Sequence, residues 1–151
     1  MKKLYYDVKK CLGCKSCELA CAIAHSLTQD LFKAFQEETK SLPRKKVYSS
    51  GEANFPVSCR HCEEPKCVDA CMAAALVFDK EKGMVAHDES RCVGCWMCVM
   101  VCPYGAIRPN IKTRIPLRCD KCKDKDEPCC VAACPTGAII WQEEVLIDSK
   151  K

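Results

Sequence analysis

The chain has 151 residues, seventeen of them cysteine, against only four Phe, four Tyr and two Trp. That is a thin aromatic supply for an ordinary core, and a cysteine content typical of chains tied together by disulfides or metal. The formal net charge of +4 comes from interleaved basic and acidic residues; no one-signed run marks a nucleic-acid surface, and no stretch approaches the roughly 18 apolar residues of a membrane span.

The N-terminus, "MKKLYYDVKKC", starts basic but has no apolar run after it, so no secretory signal is expected. A reducing, cytoplasmic location follows as the expectation, and there clustered cysteines mean metal rather than disulfides. The first group is Cys11, Cys14, Cys17 and Cys21 in "CLGCKSCELAC". Its C-x2-C-x2-C-x3-C spacing is the bacterial ferredoxin run, and Gly13 suits a backbone wrapped closely round a cluster. Next comes "SLTQDLFKAFQEETKSLPRKK". Ser26 with Gln29 reads as a capping box, and Leu27, Leu31 and Phe35 share a helical face. The expectation is a helix over 26–42, ended by Pro43, with 29–52 as a helical linker between the modules. It would lie over the cluster modules to complete a small core, with partner docking as the alternative.

The second group is Cys59, Cys62, Cys67 and Cys71 in "SCRHCEEPKCVDAC". "ALVFDKEKGMVAHD" then reads as a hairpin turning at Gly83. The third group, Cys92, Cys95, Cys98 and Cys102, repeats the spacing of the first, and the lead-ins match: "LYYDVKKCLGC" lies over "VAHDESRCVGC", Asp7 on Asp88 and Gly13 on Gly94. After "YGAIRP", a short apolar strand, comes "CDKCKDKDEPCCVAAC", which carries Cys119, Cys122, Cys129, Cys130 and Cys134. Laid over the second group, Cys130 meets Cys67 and Cys134 meets Cys71, while Cys129 falls opposite Lys66. Cys130 is therefore the expected ligand and Cys129 a passive thiol. "TGAIIW" is a last strand, and "AIIWQEEVLID" reads as a closing hairpin.

Zinc needs one closed tetrahedron, usually two C-x2-C pairs. A third cysteine, and a fourth that begins a helix leading away, instead suits a cubane fed by three thiolates of one loop and a fourth from a neighbouring run. Four such groups, a tandem duplication in the order A, B, A′, B′, imply four [4Fe–4S] clusters. At about −2 each when oxidised, they would carry the chain from +4 to about −4, so the surplus of Lys and Arg reads as compensation. Because the fourth cysteine crosses over, groups must pair. Spacing permits one with two and three with four, or a nested scheme of two with three and one with four. The short, hairpin-bearing connection between Cys71 and Cys92 favours nesting.

This four-group pattern, over residues 4 to about 140, resembles the iron–sulfur electron-transfer subunits that serve molybdenum oxidoreductases, formate dehydrogenases, hydrogenases and carbon monoxide dehydrogenases. The resemblance implies nested ligand sets: Cys11, Cys14, Cys17 with Cys134; Cys119, Cys122, Cys130 with Cys21; Cys59, Cys62, Cys67 with Cys102; and Cys92, Cys95, Cys98 with Cys71. It implies an α+β fold of two bacterial-ferredoxin-like dicluster modules, an inner one over 53–111 nested in an outer one of 1–28 plus 112–148. The wording of "SCRHCEEPKCVDAC" and "CVGCWMCVMVCPYGAIRP" looks most like the small subunit of carbon monoxide dehydrogenase systems. That implies a carbon monoxide dehydrogenase as donor and a flavin-dependent NAD(P) oxidoreductase or a hydrogenase as acceptor, with formate dehydrogenase, hydrogenase or molybdenum oxidoreductase complexes as the alternative.

Every assigned cysteine is a ligand, and no dinucleotide fingerprint or phosphate loop occurs, so a wire rather than an enzyme is expected. A redox or oxygen sensor is the competing class, although no output module is visible. His25, His61 and His87 read as structural or exposed residues, and Trp96 as a shield against water beside a cluster.

Overall fold

The structure is a computed structural model and describes residues 2–143. Its regular elements are short antiparallel strand pairs and short helices placed between the cysteine groups. Strand β1 (Lys2–Tyr6) leads into the first group and pairs with β6 (Ile139–Glu143), which leaves the fourth, in the register Leu4↔Trp141 and Tyr6↔Ile139. Strand β4 (Leu76–Asp79) leaves the second group and pairs with β5 (Met84–His87), which leads into the third. Here the turn contains Gly83 at φ +56°, where a side chain would be strained. The two ladders end alike: Asp7 N donates to Ala138 O and Asp88 N to Ala75 O, both at 2.8 Å. The duplication seen in the lead-ins is thus also a duplication of backbone hydrogen bonding.

Helix packing follows the same division. Helix α1 (Ser16–Ala24), from the first group, packs on α5 (Cys129–Ala132), from the fourth. Helix α3 (Lys66–Asp69), from the second, packs on α4 (Met97–Met100), from the third. Two small apolar cores result. One contains Cys17, Val47, Cys130 and Ile139, the other Leu76, Val85, Cys98 and Ile107. Polar contacts run between them: Arg118 Nη1 donates to Val85 O at 2.8 Å, and the Tyr6 hydroxyl meets the Ser58 hydroxyl. Beside the second core, Val85 N donates to His61 Nδ1 at 3.1 Å.

The linker departs from expectation. Its helix is the single turn α2 (Leu31–Ala34). Asp30, not Ser26, is the N-cap, accepting from Phe32 N and Lys33 N at 3.0 Å. Gln29 N does donate to the Ser26 hydroxyl at 3.0 Å, as a capping box requires, but the left-handed φ of +50° at Gln29 breaks any helix begun at Ser26, whose hydroxyl also donates back to Ile23 O. Glu37 folds over to accept from the backbone and hydroxyl of Thr28. The apolar face therefore completes no core: Leu27 is 89 %, Leu31 42 % and Phe35 58 % exposed.

Downstream, β2 (Lys46–Ser49) pairs with β3 (Asn54–Val57) around Gly51 at φ +86°, and the Tyr48 and Phe55 rings stack at 6.0 Å. This hairpin sends Val47 into the outer core. The "YGAIRP" segment buries Ala106 and Ile107 but forms only one bridge, Arg108 to Leu117. The second strand of the expected closing hairpin, 145–148, lies outside the described residues; β6 pairs with β1. Among the described residues no helix is long and apolar enough to cross a membrane.

Candidate metal centres

The loops that carry the cysteines have repeating backbone shapes. In groups one and three, the glycine before the second cysteine and the residue after it are left-handed: Gly13 at +70° with Lys15 at +61°, and Gly94 at +67° with Trp96 at +64°. In groups two and four the residue just before the second cysteine takes that role, His61 at +50° and Lys121 at +58°. Backbone turned this way lets a loop curl round an anion with its N–H groups inward. Space also demands the glycines: a Cβ at Gly13 would sit 2.7 Å from Asn54 Oδ1, and one at Gly94 2.7 Å from Arg114 O.

Three cavities are each lined by four thiols. Cys11, Cys14, Cys17 and Cys134 line one cavity, and Cys14 has Cys134 as a charge neighbour. Cys71, Cys92, Cys95 and Cys98 line a second together with Trp96. Cys59, Cys62, Cys67 and Cys102 line a third. Cys119 has Cys21 and Cys130 beside it, and Cys122 has Cys21 and Cys129. Cys130 is 5 % exposed, in the outer core, whereas Cys129 is half-buried.

Burial pushes the thiol pKa values up, to about 11 at Cys17 and Cys67 and about 12 at Cys119 and Cys122. Buried thiolates are thus costly on their own and need positive charge, which metal supplies. Geometry argues against one zinc ion per set. Tetrahedral Zn–S bonds of about 2.3 Å put sulfurs about 3.8 Å apart, while among the described residues no three thiol sulfurs lie within 4.8 Å of one another. Sets of four well-separated thiols fit a polynuclear iron–sulfur cluster.

Polar groups brace these sets. Arg44 N donates to Cys21 Sγ at 3.2 Å. His25, at the C-terminal end of α1, has Nδ1 2.7 Å from Cys21 O and Nε2 3.1 Å from Asp120 Oδ1. Both partners are acceptors, so both ring nitrogens carry protons and the imidazole is cationic. Burial lowers its pKa, but the bonds to Asp120 and Cys21 outweigh this and raise it to about 10. Asp120 also pairs with the Arg44 guanidinium and accepts from Cys122 N at 3.1 Å. His61, 2 % exposed, accepts from Val85 N and is held neutral, its pKa lowered to about 3 by burial and by Arg118. His25 and His61 thus each hydrogen-bond to a distant part of the fold. Sequence reasoning missed Asp120, Arg118 and Lys45, since "PRKK" and "LRCDKC" contain several charges and nothing local says which are buried.

Residues 52–144 match the 4Fe-4S dicluster domain family, a span that takes in cysteine groups two to four. The chain belongs to that family. A relative from Rhodospirillum rubrum, an "iron-sulfur protein", is 39 % identical over 90 % of this chain and 79 % of its own length. The electron transport protein HydN of Escherichia coli K12 is 36 % identical over 89 % of this chain and 83 % of its own. The B subunit of anaerobic dimethyl sulfoxide reductase from the same strain is 35 % identical over 89 % and 70 %. Among solved structures, the benzoyl coenzyme A reductase complex BamBC with benzoyl-CoA has a polypeptide with TM-score 0.53 and 21 % identity. That match spans 94 % of this chain and 79 % of that one, a likeness of fold. This dicluster-family chain is an iron–sulfur electron-transport protein that carries [4Fe–4S] clusters.

Proposed function

We propose that the chain holds four [4Fe–4S] clusters in nested ligand sets and serves as the electron-transfer subunit of a formate dehydrogenase, hydrogenase or molybdenum oxidoreductase complex. The observation that carries this is that three cavities are each lined by four thiols, three from one group and one from its partner group. When bound, such clusters accept and release single electrons. The sets are Cys11, Cys14, Cys17, Cys134; Cys119, Cys122, Cys130, Cys21; Cys59, Cys62, Cys67, Cys102; and Cys92, Cys95, Cys98, Cys71. In support, α1 packs on α5 and α3 on α4, which pairs group one with four and two with three. The outer module is then built from groups one and four, and the inner from groups two and three.

Neighbour relations among the thiols support a single-file order of the sets. Cys17 adjoins Cys130, Cys119 adjoins Cys59, and Cys67, Cys71, Cys98 and Cys102 border one core. Cys14 and Cys95, in the two terminal sets, are the exposed thiols of the chain, so each end of the file faces outward where a partner could exchange electrons. Trp96 helps to cover one terminal set, which limits water there and thereby tunes potential.

The motif wording points to carbon monoxide dehydrogenase as the donor. The relatives' names favour the alternative: one is a subunit of a dimethyl sulfoxide reductase and another is an electron transport protein. The test is anaerobic affinity purification of the tagged chain from its native cells, with mass spectrometry of what co-purifies. Recovery of a dehydrogenase or reductase catalytic subunit of these classes is expected. Recovery of a carbon monoxide dehydrogenase would reverse the choice, and a chain that comes down alone would refute the subunit role.

A further inference from the structure

Lys45 is 3 % exposed, although lysine is among the residues least often buried. Both sides of it are anchored. Val47 N donates to Glu18 Oε1 at 2.6 Å, Lys46 Nζ pairs with Glu18 Oε2 at 3.7 Å, and the Arg108 guanidinium donates to Pro43 O and, at 3.4 Å, to Lys45 O. The side chain is thereby directed inward. Its Nζ lies 5.0 Å from the centre of the Tyr6 ring and faces the thiols of Cys130 and Cys17. Among the described residues Nζ makes no hydrogen bond with ideal geometry, and no carboxylate pairs with it.

A buried ammonium without a counter-charge is strongly unfavourable. Here the anionic groups it faces are sulfurs, and they belong to two different proposed sets: Cys17 to the first, Cys130 to the set of Cys119 and Cys122. One inner set has a different cation beside it: Cys59 and Cys67 face Arg118.

Taking the four-cluster assignment above as its basis, we propose that Lys45 is a positioning charge shared by the two outer ligand sets, its ammonium favouring their reduced state. A one-electron reduction adds one negative charge beside a fixed positive one; Lys45 neither gains nor loses a proton. Lys45 would thus set the potentials at one end of the file independently of the other, since charge and hydrogen bonding at the sulfurs tune such centres.

The experiment is a redox titration with dithionite, followed by electron paramagnetic resonance, on the anaerobically reconstituted full chain and on Lys45→Met, Lys45→Gln and Lys45→Arg. Iron and sulfide are measured first: a wild-type chain that does not take up about sixteen iron atoms refutes the cluster assignment itself. With clusters present, one or two midpoint potentials should fall in both neutral variants. The expected shift is at least a tenfold change in the reduction equilibrium, about 59 mV for one electron. The remaining potentials should hold, and Lys45→Arg should stay near wild type. Neutral variants that lose clusters while Lys45→Arg retains them would also support a requirement for the charge. Unmoved potentials, an equal shift in all four, or the same loss or shift in Lys45→Arg as in Lys45→Met would overturn the proposal.

Discussion

Asp120→Asn removes one charge from the polar brace behind Cys21 while keeping the shape of the side chain. In the wild-type chain the carboxylate meets His25 Nε2 at 3.1 Å, the Arg44 guanidinium and Cys122 N at 3.1 Å. An amide retains one acceptor oxygen but leaves two cations without a counter-charge. Removing one partner of a buried ion pair costs about 3–5 kcal/mol. The side chains here are 12–25 % exposed, so solvent screening reduces this to about 2 kcal/mol. That corresponds to roughly thirtyfold in a rate if the whole penalty falls on the opening step that precedes cluster loss.

The assay is the anaerobic bleaching of visible cluster absorbance in guanidinium at pH 7, and a rate within twofold of wild type would refute the reasoning. The pH dependence supplies a second check. His25 has a folded pKa of about 10, above its unfolded value of about 6.5. Its contribution is complete below about pH 6.5 and declines as pH rises toward 10. The Asp120 pKa is depressed: burial opposes this, and His25 and Arg44 outweigh it. Its share is therefore present above its unfolded value near 3.9 and is lost only as pH falls below it. Wild-type resistance should decline between about pH 6.5 and 10, and Asp120→Asn should decline less. Equal slopes would show that His25 is not held as a cation.

Cys130→Ser should lower iron content from about sixteen toward about twelve atoms, or convert one centre, while Cys129→Ser leaves it unchanged; equal losses would sink the ligand assignment and the repeat alignment behind it. Gly94→Ala should impair cluster retention more than Gly105→Ala. Both positions have positive φ, but only at Gly94 would the new Cβ meet backbone, Arg114 O at 2.7 Å; iron content after purification decides it, and the reverse order would contradict the packing described. Phe32→Ser should change resistance to bleaching by less than about 0.5 kcal/mol, since the side chain lies largely outside the core. A marked loss would restore the core-completing role expected of that segment.

Features that depend on a few consecutive residues were legible in the amino-acid sequence. The cysteine spacings, the matched lead-ins with Asp7 and Asp88, and the turn at Gly83 all reflect local loop geometry or direct repetition. Short range also explains the misreading over 26–42. Apolar residues at helical spacing described a face, but Gln29 is left-handed and Asp30 offers a competing cap, so the helix shrinks to one turn. Only the tertiary structure could pair β1 with β6 across the whole described chain, or choose which charges of "PRKK" and "LRCDKC" are buried. Those outcomes depend on which distant surfaces meet. Lys45 reaches the sulfurs of Cys17 and Cys130, and Asp120 reaches His25, because α1 packs on α5 and brings the two ends of the chain together. Ligand chemistry is written in spacing, whereas the electrostatic surroundings that tune it arise from long-range packing.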